Sequence, residues 1–116
     1  MKAVRVVFSP EAEAVYQRLT LTSTAKTEQT ILHALEKKIE IIKHNCHYGD
    51  PLAKALIPSG YVTTYGVTNL FRIPLPNFWR MLYTLTDGED QNEIIAFVLD
   101  LIDHKTYDKK FGYKKK

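Results

Sequence analysis

The chain has 116 residues, of which 45% are hydrophobic and 25% charged, and these proportions favour one globular domain over collagen, low-complexity disorder or a coiled-coil array. The net charge of +3 is unevenly distributed, because residues 104–116 carry six lysines against one aspartate while the rest is slightly acidic. No apolar run approaches the about 20 residues that span a bilayer, residues 1–14 lack the apolar core of a signal peptide, and Cys46 has no second cysteine to pair with, so we expect a cytoplasmic protein without a membrane partner.

The first half of the chain predicts one strand followed by two helices. Residues 4–8 are β-branched and aromatic, and Ser9-Pro10-Glu11 then supplies an N-cap, a proline at the first helical position and an acid in the first turn. The first helix should run to about Leu19. A second, longer helix is indicated by an apolar stripe at helical spacing, formed by Ile31, Leu32, Leu35, Ile39 and Ile42.

From residue 61 onward the hydrophobic period changes to the alternation that is typical of strands. We expect strands at about 61–66, 69–75, 79–86 and 93–103, separated by turn-forming residues. The predicted fold is therefore α+β: an N-terminal strand, a two-helix hairpin and a largely antiparallel four-strand run, forming one sheet with the helices on one face. We expect a single domain over residues 1–116, with 105–116 as a basic C-terminal tail.

The alternation also predicts which side chains share a face of the sheet. Three apolar sets should pack under the helices: Phe71, Ile73 and Leu75; Trp79, Met81, Tyr83 and Leu85; and Ile95, Phe97, Leu99 and Leu101. The opposite, helix-free face would then carry Arg72, Arg80, Asp100 and His104.

The loop before Arg80 decides whether this placement is correct. A two-residue turn would direct the guanidinium of Arg80 into the core, and burying an unpaired charge costs several kcal/mol. A three-residue loop, 76–78, with Asn77 or Phe78 in an unusual backbone region, instead sets Arg80 beside Arg72. We expect the three-residue loop. Two adjacent guanidinium groups repel unless an anion lies between them, so phosphate is the expected occupant of this face.

Several segments, in this order, resemble the RelE/ParE toxin superfamily. They are VRVVFSPEAEAVYQRL at 4–19, Tyr48-Gly49-Asp50-Pro51-Leu52 before the sheet, WRMLYTL at 79–85, IIAFVLD at 94–100 and HKTY at 104–107. The resemblance covers nearly the whole chain and is closer to the RelE type. It implies a small cytoplasmic toxin that a cognate antitoxin protein neutralises. RelE-type members enter the ribosome and cut mRNA, whereas ParE-type members inhibit DNA gyrase without cutting RNA.

The resemblance also implies roles for individual residues. Arg80 matches the family's phosphate-binding arginine, and Arg72 matches a basic position one strand earlier. His104 falls where nuclease members carry an arginine or histidine that acts as general acid. Tyr107 or Tyr113 would be the aromatic residue that stacks on a base, and we favour Tyr107 because it lies nearer along the chain.

Metal-free RNA cleavage needs a base for the 2′-OH, positive charge for the phosphorane and an acid for the departing 5′ oxygen. Arg80 suits the charge role, and His104 suits the acid role because imidazole side chains titrate near neutral pH. Pro74 stands where some nuclease members have a lysine, so the general base is left open. Asp100 or Asp103 could serve as that base, or could orient His104.

The lysine-rich segment predicts a second contact with RNA. Clustered positive charge attracts a polyanion because local neutralisation releases counterions. The expected RNA-binding side chains, besides Arg72, are Lys105, Lys109, Lys110 and Tyr113. For Lys114, Lys115 and Lys116 a plain solvated terminus is an equal alternative.

No metal or cofactor is expected. His44, Cys46 and His47 lack a fourth ligand and match no common zinc spacing. The leading hypothesis is a ribosome-dependent endoribonuclease whose partners are an antitoxin, the ribosome and mRNA. The alternatives are a ParE-type toxin that binds and inhibits gyrase, and an inactive interaction module of the same fold.

Overall fold

The computed structural model describes residues 2–21 and 25–112. The strands are β1 (Ala3–Phe8), β2 (Asp50–Pro51), β3 (Phe71–Leu75), β4 (Trp79–Asp87) and β5 (Glu93–Ile102). The helices are α1 (Pro10–Leu21), α2 (Lys26–His44), α3 (Ser59–Tyr65) and α4 (His104–Phe111). This arrangement confirms the predicted α+β class, with a first strand, two helices and then the remaining strands. No described helix is both long and apolar enough to cross a bilayer.

The strands form one mixed sheet in the order β1-β5-β4-β3-β2. β1 runs parallel to β5, and every other neighbouring pair is antiparallel. The parallel pair arises because α1 and α2 carry the chain from β1 to β2 at the opposite edge of the sheet. The last strand, β5, is then left to close the sheet against β1.

One face of the sheet packs against α1 and α2. Leu35 and Ile42 of α2 belong to one buried cluster with Met81 and Tyr83 of β4, and all four are 0% exposed. Burying a side chain of this size stabilises the fold by about 1.5–3 kcal/mol. The predicted N-cap of α1 is confirmed, since Ser9 Oγ accepts the Ala12 N–H at 3.0 Å.

The segment expected to form a strand at 61–66 is instead the helix α3. Tyr61 and Tyr65 are four residues apart, a spacing that fits one face of a helix as well as one face of a strand. Gly66 ends the helix with a φ of 65°, the left-handed conformation that glycine adopts without steric cost. Tyr61 is 4% exposed, and Tyr65 packs edge-to-face on Phe97.

A β-bulge changes the faces predicted for β5. Leu82 pairs with Asp100 while Tyr83 pairs with Val98, so Leu99 is one residue in excess. An extra residue moves the side chains before it to the other face of the sheet. Leu101 therefore packs under α1 and α2 as predicted, whereas the prediction for Ile95, Phe97 and Leu99 is wrong.

The opposite face of the sheet is covered by α3 and α4, so the expectation of a helix-free face is also wrong. A second buried cluster fills this side, formed by Tyr61, Val67, Leu70, Leu82, Leu99, Ile102 and Tyr107. The expected basic tail begins as the helix α4, which Asp103 caps by accepting the Thr106 N–H at 2.8 Å. Tyr113 and Lys114, Lys115 and Lys116 lie outside the described residues.

Candidate functional site

The loop between β3 and β4 has three residues, the length predicted to keep the charge of Arg80 out of the core. Leu75 pairs with Trp79, and Pro74 pairs with Arg80, so the guanidinium stays out of the core under α1 and α2. Both Asn77 and Phe78 adopt a left-handed backbone, with φ of 61° and 63°. Asparagine tolerates this conformation, but for a residue such as phenylalanine it costs roughly 1–2 kcal/mol.

Arg72 and Arg80 are both held against the ring of Tyr107. Arg72 Nη1 donates a hydrogen bond to Tyr107 Oη at 2.8 Å. The guanidinium carbons of Arg72 and Arg80 lie 5.9 Å and 5.1 Å from the centroid of that ring. Phe111 stacks on the same ring, with 4.4 Å between centroids. Tyr107 therefore orients the guanidinium groups of both Arg72 and Arg80.

The structure does not present Tyr107 to a nucleic-acid base. Its side chain is 2% exposed, and its ring already contacts Phe111 and both guanidinium groups. The ring is therefore not accessible to a base, and the assignment of Tyr107 to base stacking has no support from its position. Tyr107 lies on the inner face of α4, where it anchors the helix to the sheet.

An open groove of about 500 Å³ lies beside the two arginines. Its lining residues are Asp50, Arg72, Pro74, Leu75, Asn77, Phe78 and Arg80. Arg80 Nη1 donates to the Phe78 carbonyl oxygen at 2.8 Å, and no carboxylate of the described residues forms an ion pair with Arg80. The charge of Arg80 is thus available to an anion that enters the groove.

His104 lies at the first residue of α4 rather than at the end of a strand. Its side chain is half exposed, and Nε2 lies 3.2 Å from Asp108 Oδ2. The imidazole is 5.9 Å, centroid to centroid, from the ring of Phe78, which lines the groove. Asp108, one helical turn away, is therefore the carboxylate that orients His104, in place of the predicted Asp100 or Asp103.

Asp100 and Asp103 have structural partners instead. Asp100 Oδ2 accepts the Tyr61 hydroxyl at 2.5 Å and lies 3.4 Å from Lys110 Nζ. Burial, and then the hydrogen bond to Asp100, raise the pKa of Tyr61 above its ordinary range. The hydrogen bonds with Thr106 lower the pKa of Asp103. Neither carboxylate lines the groove, so the predicted role of general base has no support from their positions.

The predicted RNA-binding lysines of α4 differ in their surroundings. Lys105 and Lys109 are exposed. Lys110 pairs with Asp100, and its Nζ lies 4.9 Å from the centroid of the Tyr61 ring, so it helps to fasten α4 to the sheet. Lys105 and Lys109 are one helical turn apart and extend the positive charge along the outside of the helix.

Of the groove residues that were not predicted as site residues, Asp50 carries a charge and Phe78 an exposed aromatic ring. Phe78 is 72% exposed, and Asp50 is brought opposite Arg72 by the pairing of β2 with β3. Strand β2 has only two residues, too few for any alternation to be visible in the sequence. For Phe78, an aromatic residue inside a tight loop was the signal that could have identified it.

The segment that carries Asp50 is tied to the core. The Gly49 N–H donates to Tyr83 Oη at 2.9 Å, and a Cβ on Gly49 would lie 3.0 Å from the ring of Tyr83. A glycine is needed for this close approach. A second depression of about 270 Å³ adjoins the groove here and is lined by Lys38 and Tyr48 as well as by Arg72.

Comparisons of this chain with protein-family models, with characterised proteins and with solved structures gave no significant match. Within the described residues, no three histidine, cysteine, aspartate or glutamate side chains converge as metal ligands do. The geometry of the groove and the sequence resemblance described above are therefore the grounds for assigning a function.

Proposed function

We propose that this chain is the toxin of a type II toxin–antitoxin pair, and that it is a ribosome-dependent endoribonuclease that cuts mRNA. The observation that carries the proposal is the pair of guanidinium groups, Arg72 and Arg80, held side by side on Tyr107 at the wall of an open groove. The sequence resemblance to RelE-type toxins supports the same conclusion.

The two arginines suit a phosphodiester. A guanidinium group matches phosphate oxygens in geometry and keeps its charge at every physiological pH. During cleavage the phosphorane carries more negative charge than the ground state, so cations that are already positioned stabilise it without further reorganisation. Arg80, whose hydrogen-bond partners within the described residues are the carbonyl oxygens of Phe78 and Trp79, is the main contributor in this account.

His104 is the proposed general acid. Its Nε2 lies 3.2 Å from Asp108 Oδ2, and this contact orients the ring, as a carboxylate does for many catalytic histidines. The imidazole lies 5.9 Å, centroid to centroid, from the ring of Phe78, which lines the groove. From there it delivers a proton to the 5′ oxygen as the bond between phosphorus and that oxygen breaks.

Asp50 is the proposed general base, because it is the carboxylate that lines the groove. It accepts the proton of the 2′-OH while the 2′ oxygen forms its bond to phosphorus. The reaction therefore transfers one proton to Asp50 and one from His104. Its products are a 2′,3′-cyclic phosphate and a 5′-OH end, and no metal ion is needed.

A ParE-type toxin that binds gyrase is the second candidate. The observation that favours it is the burial of Tyr107, since the aromatic residue that the nuclease hypothesis first assigned to base stacking is 2% exposed. A toxin that acts by binding alone needs neither an acid nor a stacking ring.

The proposed antitoxin would cover the arginine groove and the exposed lysines of α4. An acidic segment fits both surfaces, because complementary charge steers association and fixes the register of a complex. Co-expression with the product of the adjacent reading frame should give a complex that weakens as salt is raised.

Primer extension on mRNA from cells that briefly express the chain tests the proposal. We expect discrete breaks with the wild-type chain, none with Arg80→Ala, and unchanged breaks with Lys37→Ala, which removes an exposed lysine on α2. Intact mRNA together with loss of gyrase activity would favour the ParE type. Intact mRNA and normal growth would indicate an inactive module.

A further inference from the structure

Phe78 is the most exposed aromatic side chain of the described residues, at 72%. Its ring belongs to neither of the buried clusters that flank the sheet. The one aromatic contact it makes within the described part of the chain is with His104, at 5.9 Å between centroids. Phe78 therefore adds little to the stability of the fold through burial.

The backbone at Phe78 is also unfavourable for a phenylalanine. Its φ of 63° is a conformation that glycine adopts without steric cost and that asparagine, as at Asn77, adopts with little. A glycine at 78 would make the same three-residue loop at lower conformational cost. The fold alone thus gives no reason for an aromatic residue here, and exposed strained positions of this kind cluster at functional sites.

The left-handed backbone at Asn77 and Phe78 places the Phe78 ring in the groove, beside the two arginines. Phe78 lines the groove together with Arg72 and Arg80, and its carbonyl oxygen accepts a hydrogen bond from Arg80 Nη1 at 2.8 Å. The loop and the guanidinium are therefore held as one unit. An aromatic face beside a phosphate-binding cation is the arrangement with which proteins bind single-stranded nucleic acid.

We propose that Phe78 is the base-stacking residue of this chain, and that it holds the base next to the phosphate bound by Arg72 and Arg80. The inference rests on the proposed function in that the nucleic acid is single-stranded RNA. It replaces Tyr107 in that role, since Tyr107 is buried beneath the same arginines. Stacking on any base is favourable, so Phe78 contributes affinity and positioning more than sequence preference.

Phe78→Gly is the decisive variant, because it removes the ring while permitting the left-handed backbone. Binding is measured by fluorescence anisotropy with a labelled 2′-O-methyl oligoribonucleotide, which the chain cannot cleave. We expect Phe78→Gly to weaken binding by about 5- to 150-fold, the range that base stacking provides. Its melting temperature should equal or exceed that of the wild type.

Two matched variants and a second probe complete the test. Phe78→Trp keeps a stacking face, and Val62→Ala removes an exposed apolar side chain that does not line the groove, so both should bind the oligonucleotide as the wild type does. Inorganic polyphosphate, which has charge but no bases, should bind the wild type and Phe78→Gly equally. Equal oligonucleotide binding by Phe78→Gly, equal losses for both probes, or no binding by the wild type would each overturn the inference.

The binding test separates this inference from the proposed nuclease function. A chain that binds the oligonucleotide through Phe78 but leaves mRNA intact retains the stacking role and loses the nuclease assignment. A chain that cuts mRNA equally well with Phe78→Gly retains the nuclease assignment and loses the stacking role.

Discussion

Arg72 and Tyr107 are joined by a hydrogen bond of 2.8 Å between the guanidinium Nη1 and the phenol Oη. This bond connects β3 to α4, and it lies at the point where the second hydrophobic cluster meets the arginine groove. The Tyr107 side chain is thus part of the buried core and also holds the two arginines of the groove in position. Changes at Tyr107 should affect both stability and activity, in proportions that depend on the atoms removed.

Tyr107→Phe should lower the free energy of unfolding by about 1–2 kcal/mol, because it removes one hydrogen bond to a charged group and leaves the stacked ring in place. Tyr107→Ala should lower it by about 3–5 kcal/mol, since it also leaves a cavity between α4 and the sheet. Urea unfolding followed by circular dichroism measures both. An alanine variant as stable as the wild type would show that α4 does not depend on this residue.

Asp103 should make the stability of α4 depend on pH in the acid range. Its hydrogen bonds with Thr106 hold the pKa of Asp103 below the ordinary value of about 3.9. A lowered pKa contributes stability that is present above the unfolded value and is lost as pH falls through the folded value. Asp103→Ala should cost about 1 kcal/mol at neutral pH.

Asp103→Asn is the matched control, because asparagine caps helices well but does not titrate. It should keep the stability of the wild type at pH 7 and lose that part of the acid dependence. Unfolding free energies measured between pH 2 and about 7 test the sign. A wild type and an asparagine variant with parallel pH profiles would contradict the assignment.

Asp50→Asn should change binding and cleavage in opposite directions. If the groove receives phosphate as proposed, removing a negative charge from it should strengthen binding of the uncleavable oligonucleotide. Removing the proposed base lowers the cleavage rate by roughly 10²–10⁴-fold. Anisotropy and single-turnover cleavage on ribosomes measure the two effects separately. Unchanged cleavage would exclude Asp50 as the base.

His104→Gln should preserve ribosome binding and lose most of the cleavage rate, by roughly 10²–10⁴-fold, because glutamine cannot deliver a proton at neutral pH. His33→Gln, at an exposed position on α2, is the matched control and should behave as the wild type. Co-sedimentation with ribosomes and quantified mRNA breaks give the two readouts. Full cleavage by His104→Gln would show that another group supplies the proton.

The position of Arg80 could be predicted from the sequence, because only one register keeps an unpaired charge out of the core. The α1 cap could also be predicted, since the three neighbouring residues Ser9-Pro10-Glu11 contain the whole signal for a helix start. These successes share a cause: each depends on interactions between residues near in sequence, or on the cost of burying a single charge.

Other features depend on information that the sequence pattern does not carry. The excess residue at Leu99 is visible only when β5 is laid against β4, and it reverses the faces of Phe97 and Leu99. The sequence did not predict the helix α4, because its lysines are typical of a solvated tail. Tyr107 and Phe111, one helical turn apart, were the sign of a buried helical face.

Cleavage of mRNA on purified, programmed ribosomes, with analysis of the product ends, tests the central claim most directly. The account predicts 2′,3′-cyclic phosphate and 5′-OH ends with the wild-type chain and with Lys37→Ala. It predicts a loss of at least about a hundredfold with Arg80→Ala, whose stability should change by less than about 1 kcal/mol. Uncut mRNA with the wild-type chain, or full cleavage by a folded Arg80→Ala variant, would contradict it.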